Sequence, residues 1–408
     1  MPGVQIVNSP SSTLLSANND AIWVVSGSAG YTSSVHDFKF LADIFVSGSL
    51  VTTLKRFPDT AYPNMGVFNL KSVAANLVAF DFLGDTSNTD IFHSASNSFV
   101  DVTIQFGREY IFNNVFTQSR NEVSTSDYYF LNSSLPFTQQ GQGLSNNRIT
   151  NAGTGSFLQS KHDSLTTPFK TYNNLRRWAY YFADTNAASY LNVRTYDSNL
   201  NLLQRYAFAN PYSSSSNSSQ FVSIGIPQLS SYVNFTGVSY YDIGLGSSGS
   251  FDRSEVLRFQ ILTDCSRYAS GAYKVYWLNS YGGFDSWLFN KKGQVTTSKN
   301  QSSFKQIPGK LNSSGTYNIN TYSRVNIPYF TELSDKLELS TDFLTDNEVI
   351  YLKDLYSSPV VYLEDPNGVI FSATVDTSDY VLNKKVNTKV YSLQLTFLTS
   401  YNDYRQQL

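Results

Sequence analysis

Three observations predict a mainly β chain, built as tandem small β-sandwich or β-barrel-like domains with a few short helices. Apolar residues recur at every second position in several stretches, the spacing that lays one face of a strand on a core. Turn-forming pairs and clusters such as Ser47-Gly48, Gly282-Gly283 and Asp365-Pro-Asn-Gly368 separate those stretches. Helical spacing, by contrast, shows in only two places. At 408 residues the chain exceeds one ordinary core, so two or three domains are expected.

In chain order, the first domain is placed at 1–115, a β-sandwich with one edge helix. Phe38, Phe40, Ala42, Ile44 and Val46 alternate with Lys39, Leu41, Asp43 and Phe45, and Ser47-Gly48 returns the chain as a hairpin with a primed turn. Asn69 can cap a short helix over 70–79, in which Leu70, Val73, Ala74, Leu77 and Val78 fall on one face. Strand spacing resumes at Val100, Val102, Ile104 and Phe106 and is expected to end at Gly107. Residues 116–165 lose all periodicity and are rich in Ser, Thr, Asn, Gln and Gly, which predicts an irregular polar arm or linker lying on a neighbouring subunit.

A second β domain is expected over 166–268. Residues 190–196 and 202–208 read as two strands around a turn at Asp197, and Val256–Ile261 as a later strand. The third domain, 269–408, opens on two aromatic runs flanking Gly282-Gly283. Its sharpest local signal is Thr345-Asp-Asn-Glu348, a capping box with Leu344 and Val349 as the hydrophobic staple, predicting a helix near 346–356 that stops before Pro359. A strand pair around Asp365-Pro-Asn-Gly368 follows, then a last strand with Tyr391, Leu393, Leu395 and Phe397 on one face.

The composition is poor in reactive groups. There are three histidines, His36, His93 and His162, and one cysteine, Cys265, against 29 tyrosines and 29 phenylalanines. Histidine is the usual proton carrier near neutral pH, so its scarcity points away from acid–base catalysis. One cysteine permits no internal disulfide and no cysteine metal site. Charged residues are only 15% of the chain, and 29 basic against 31 acidic residues leave a net charge of −2. That balance gives no general attraction to nucleic acid or to an anionic membrane. No apolar run approaches a membrane span, and the first residues lack the pattern of a signal peptide, so synthesis in a cytoplasm without signal-directed export is expected. Five Asn-x-Ser/Thr matches are what chance supplies in so Asn- and Ser-rich a chain.

Each candidate site has a plainer reading beside it. Gly244-Leu-Gly-Ser-Ser-Gly249 matches a dinucleotide fingerprint by letter, but a strand rather than a helix follows it. Asp335, Glu338, Asp342, Asp346 and Glu348 cluster without the spacing of a calcium loop, and the last two suit the first turn of a helix. Arg176-Arg177-Trp178 is a basic–aromatic cluster with no wider basic patch. Tyr276, Trp277, Tyr281, Phe284 and Trp287 either stack on sugar rings or fill a core or subunit interface. A paired acid and base for glycoside hydrolysis has no specific signal, because the acidic residues fall at turns, helix starts and outward strand positions, where they are expected to be solvated. No catalytic residue, cofactor or metal site is therefore expected.

Three stretches taken together carry a resemblance: Phe38–Phe82, the segment from Ser254 through Cys265 to Tyr276-Trp-Leu-Asn-Ser-Tyr-Gly-Gly-Phe-Asp, and the block from Thr341 to Leu363. In that order they resemble virion structural proteins of tailed bacteriophages, particularly tail and collar components of crAss-like and related phages of Bacteroidetes. The resemblance implies a non-enzymatic subunit of a ring or baseplate-like layer, packed symmetrically around the tail axis as a six- or twelve-fold homo-oligomer beside other tail or portal-proximal proteins. It implies a location in the tail region of a virion, with no specific nucleic-acid binding and no membrane. The alternatives are a receptor- or glycan-binding tail protein and a tail-associated polysaccharide hydrolase.

Overall fold

The computed structural model describes residues 3–27, 35–84, 88–215, 217–249, 252–262, 272–291, 293–376, 383–384, 391–401 and 403–404. Cys265 lies outside them. The fold is mainly β, and among the described residues the α-helices are Lys71–Leu77, Ile226–Leu229 and Asp346–Ser357. The chain divides into two compact units, Met1–Thr263 with Leu278–Asp285, and Asp264–Trp277 with Ser286–Leu408. The regions 1–115 and 166–268, expected as separate domains, thus belong to one unit.

The first sandwich of that unit sets a three-stranded sheet (Gln5–Asn8, Ile22–Ser26, Met65–Asn69) against a six-stranded one. Alternation decides which residues meet. Trp23 pairs with Phe68 across the small sheet and both are fully buried, while Ile22 and Val67 face outward. Phe40, Ala42 and Ile44 on strand Val35–Val46, with Val102, Ile104 and Phe106 on strand Phe99–Phe112, supply the opposing layer. The hairpin turn after Val46 has φ of 48° at Ser47 and 78° at Gly48, the two positive values a type I′ turn needs. Strand Phe99–Phe112 does not end at Gly107 but runs through it, with strand Val115–Ser124 bulging opposite; a Cβ on Gly107 would lie 2.2 Å from the Ser119 carbonyl oxygen, so the close approach needs glycine. Asn69 sits one residue before the helix cap. Its Oδ1 accepts N–H groups of Lys71 (3.0 Å) and Ala21 (3.3 Å), tying the helix start to the sheet.

The outward face of strand Val35–Val46 is closed as well. Asp43, only 3% exposed, pairs with Arg120, and Glu109 with Lys55 at 2.7 Å. The expectation that Asp43 is a solvated carboxylate fails, because strand Val115–Ser124 pairs alongside and brings Arg120 over it.

Residues 116–165 are not an irregular arm. They hold strands Val115–Ser124, Tyr128–Leu131 and Arg148–Ile149, joined by 3-10 turns at Phe137–Gln142 and Ser145–Asn147. Phe130, Leu131, Leu135, Leu144, Ile149, Phe157 and Leu158 are buried. The abundant amides bond backbone inside the unit: Asn19 both gives to and takes from the Leu135 peptide, and Asn147 Nδ2 donates to the Phe157 carbonyl at 3.0 Å.

A second pair of sheets completes this unit. One has strands Arg148–Ile149, Trp178–Ala183, Ser218–Ser223 and Phe92–Ser94. The other has Phe169–Tyr172, Leu257–Leu262, Tyr240–Gly246, Tyr190–Tyr196 and Leu202–Ala209. Strand Phe92–Ser94 comes from the first 115 residues, which is why no boundary falls there. The sheets are also stitched by buried polar groups, with Tyr241 Oη donating to the Ile224 carbonyl at 2.9 Å.

The other unit is built on an eight-stranded sheet carrying helix Asp346–Ser357. Thr345 and Glu348 form the expected capping box, with the Thr345 N–H 2.8 Å from Glu348 Oε2. Leu344 and Val349 are buried beside it, as are Leu393, Leu395 and Phe397 on one face of the last long strand region. Glu348 is itself 1% exposed, so the cap is interior rather than solvated.

Candidate functional site

The five aromatics singled out from the sequence are divided by the fold. Tyr276 and Trp277 are fully buried, Phe284 is 1% exposed and Trp287 5%. Tyr276 Oη donates to Glu364 at 2.6 Å, and both tryptophans pack against Tyr351, with ring centroids 5.3 and 6.1 Å away. Phe284 packs on Phe82 at 4.8 Å. None of these four offers an open ring face to a ligand. Tyr281 is different. It is half-buried, its hydroxyl lies 3.5 Å from Gln139 Oε1, and it lines a cleft.

The other sequence candidates disperse. Gly244-Leu-Gly lies inside strand Tyr240–Gly246, and strand Leu257–Leu262 is the next regular element. Arg177 is 3% exposed, donates to the Lys170 carbonyl at 2.7 Å and stacks on Phe169 and Phe259, a structural use of its guanidinium. The acidic cluster is spread over a strand, a loop and a helix, and among the described residues no group of three or more His, Cys, Asp and Glu side chains is placed to hold a metal ion.

The cleft encloses about 690 Å³ and belongs wholly to the first unit. Its walls are the turns around Leu135–Asn147, the extended segment Ser156–Leu165, Glu255-Val256 and Tyr281. Glu255 is its most unusual group. Oε1 accepts the Phe157 N–H at 2.8 Å, and among the described residues no cation pairs with the carboxyl. Burial therefore raises its pKa above the ordinary value, the Phe157 bond opposing only in part.

The neighbouring acids are committed elsewhere. Asp163 closes a turn, with Oδ2 accepting from Thr166 Oγ1 at 2.6 Å and Oδ1 from the Leu165 and Thr166 N–H groups. Those bonds, the Thr166 side chain first, hold its pKa low. Asp285 Oδ2 accepts both the hydroxyl and the N–H of Ser160. His162 stacks on Phe169 at 4.0 Å, and its Nε2 lies 2.7 Å from the Thr167 carbonyl, so the proton is on Nε2. Sequence reasoning found only Tyr281 here, because most of the lining comes from the stretch read as an arm.

A second feature stands in the other unit. Strands Gly293–Lys305 and Asn326–Ser340 pair antiparallel from Gly293↔Leu339 to Lys305↔Asn326, a ribbon of about 40 Å. Every residue of the first strand is exposed except Ser302, which is half-buried. Beyond the ladder, Ile307, Leu311, Ile319 and Tyr322 are 76%, 67%, 66% and 81% exposed. Residues 293–331 contain Lys299, Lys305, Lys310 and Arg324 and no Asp or Glu. They carry +4, and the rest of the chain −6.

No protein-family model matches the chain, and no curated protein matches it. Among solved structures, the extracellular domains 3–5 of Drosophila OTK are similar at 6% identity and a TM-score of 0.23, over 83% of this chain and 93% of that one. Likeness at that level carries no argument. No helix among the described residues is long and apolar enough to cross a membrane.

Proposed function

We propose that this protein is a non-enzymatic structural subunit that assembles with copies of itself, and that its assembly is a tail, collar or ring layer of a bacteriophage virion. The ribbon carries the assembly reading. Where 301–305 pair with 326–331 no third strand lies alongside among the described residues; such a two-stranded hairpin is marginal alone in water, and this one bears exposed Ile, Leu and Tyr side chains at its far end. Such a tip is stable in use when another surface covers it. The positive stretch 293–331 on an otherwise negative chain is complementary to a second copy, and a contact between two different surfaces of one chain repeats into a ring or filament. The arm expected at 116–165 thus has its counterpart at 293–340. The virion setting rests on the resemblance of the three stretches to phage tail and collar proteins, which also supports other tail or portal-proximal proteins as neighbours.

The test is the mass of the purified chain in solution at low and high salt, beside a variant in which an Asn-Gly turn replaces residues 306–325. Assembly that weakens with salt and is lost on truncation is expected. A chain that stays monomeric at low salt up to about 100 μM, roughly −5.5 kcal/mol of association, rejects the reading.

A further inference from the structure

We infer that the cleft walled by Tyr281, Gln139, Gln159 and Glu255 is a binding site for a short neutral oligosaccharide of two or three sugar rings. This goes beyond the assembly role and uses a different unit of the molecule.

The lining chooses the ligand class. A volume of about 690 Å³ lies in the roughly 300–1,000 Å³ range of ligand sites. Gln139, Asn146, Gln159 and Ser156 give the walls three amides and a hydroxyl, while the Ser160 and Ser164 hydroxyls are taken by Asp285 and the Val256 carbonyl. A lipid or other apolar guest would strip water from those groups without replacing their hydrogen bonds. An anion meets a single lysine, Lys161, together with two carboxyls, no arginine and no phosphate-cradling loop at a helix start. A cation lacks the ligand set. A neutral polyol satisfies the walls, because amides give and accept at adjacent positions, as vicinal sugar hydroxyls do.

Two features orient such a guest. Tyr281 presents part of an aromatic ring to the cleft, with its hydroxyl near Gln139. Glu255 has one oxygen held by the Phe157 N–H, while Oε2 takes no hydrogen bond among the described residues, leaving it to accept from a sugar hydroxyl. Binding rather than cleavage follows from the neighbours. The other carboxylate lining the cleft, Asp163, already accepts bonds from the Thr166 hydroxyl and from the Leu165 and Thr166 N–H groups, so the second free carboxylate that glycoside hydrolysis needs is missing from the lining.

The full-length chain is titrated with neutral trisaccharides of the glucose, galactose and N-acetylglucosamine series, followed by calorimetry and saturation-transfer NMR. At least one series is expected to bind with a Kd of about 1 mM or tighter, and a charged uronic-acid trisaccharide at least about tenfold more weakly. Glu255→Ala and Gln159→Ala are each expected to weaken binding by about tenfold or more, and Tyr322→Ala on the ribbon to leave it unchanged. Should Glu255→Ala fail to fold, Gln159→Ala and Asn146→Ala, at half-buried and exposed positions, carry the test. No binding by any neutral series up to about 10 mM, or binding indifferent to every cleft variant, overturns the inference. Loss of assembly with sugar binding intact leaves this site standing and strikes only the structural role.

Discussion

Strands Phe284–Phe289 and Gly293–Lys305 are almost consecutive in the chain and opposite in fate. The first buries all six residues, and the second exposes all but Ser302. In the first, Phe-Asp-Ser-Trp-Leu-Phe places large apolar side chains on both faces, and its one charged group, Asp285, is absorbed by Ser160. In the second, Gln, Thr, Ser, Lys and Asn occupy both faces, so neither can lie on a core. Cross-strand pairing alone keeps that strand extended. The difference separates two uses of β structure here: strands that make a core, and strands that reach out of one.

The largest test of this contrast is Trp277→Ala. The ring is fully buried and meets the edge of Tyr351, and its removal is expected to cost about 3–5 kcal/mol in a denaturant titration of the unit's tryptophan or circular-dichroism signal. Next comes Glu364→Ala, which leaves the buried Tyr276 hydroxyl and the Lys274 ammonium without their shared acceptor. A loss of about 3 kcal/mol is expected, measured the same way. The ribbon sits at the other end of the scale. Joining Lys305 to Asn326 through Asn-Gly should change monomer stability by less than about 1 kcal/mol, because the pair closes on a two-residue turn and no core residue is lost. A large loss would mean that the ribbon is part of a core after all.

Acid sharpens the contrast with a smaller effect. His93 is 8% exposed and stacks on Phe221, and burial holds its pKa below 6.5. Its neutral form is the folded one, so its contribution is intact above pH 6.5 and is lost as pH falls through the lowered folded value. Glu255 runs the other way. Its raised pKa means that the charged carboxyl opposes folding at neutral pH, so Glu255→Gln should raise the melting temperature at pH 7 and lose that advantage at acid pH. Residues 293–331 contain no His, Asp or Glu, and melting of ribbon-truncated protein should show the same pH profile as the full chain.

Elements with a local physical signature were legible in the sequence. The type I′ hairpin at Ser47-Gly48, the capping box at Thr345 and Glu348 and the one-sided face of Leu393, Leu395 and Phe397 are each written within a few residues. What misled was polarity taken as exposure. The stretch 116–165 is anchored by apolar residues at no fixed period, such as Leu135, Leu144 and Phe157, while its amides bond buried backbone. The ribbon, equally polar, gave no periodic signal because its two faces are alike. Most of the cleft was hidden for the same reason as its walls. Only Tyr281 was visible, and its sequence neighbours Trp277, Phe284 and Trp287 went to the interior because two faces of that hairpin are covered.

The division of the chain also sets an order of events on the ribosome. The first unit is interrupted after Thr263 and receives Leu278–Asp285 later. Those late residues supply Phe284 against Phe80 and Phe82, the Ser280 carbonyl that accepts from Ser134, and Asp285 for Ser160. At about 5–20 residues per second, the intervening residues delay that segment by roughly one to three seconds. Through that interval the nascent unit waits with an aromatic wall uncovered, and a gene fragment cut near residue 268 would encode the waiting form permanently.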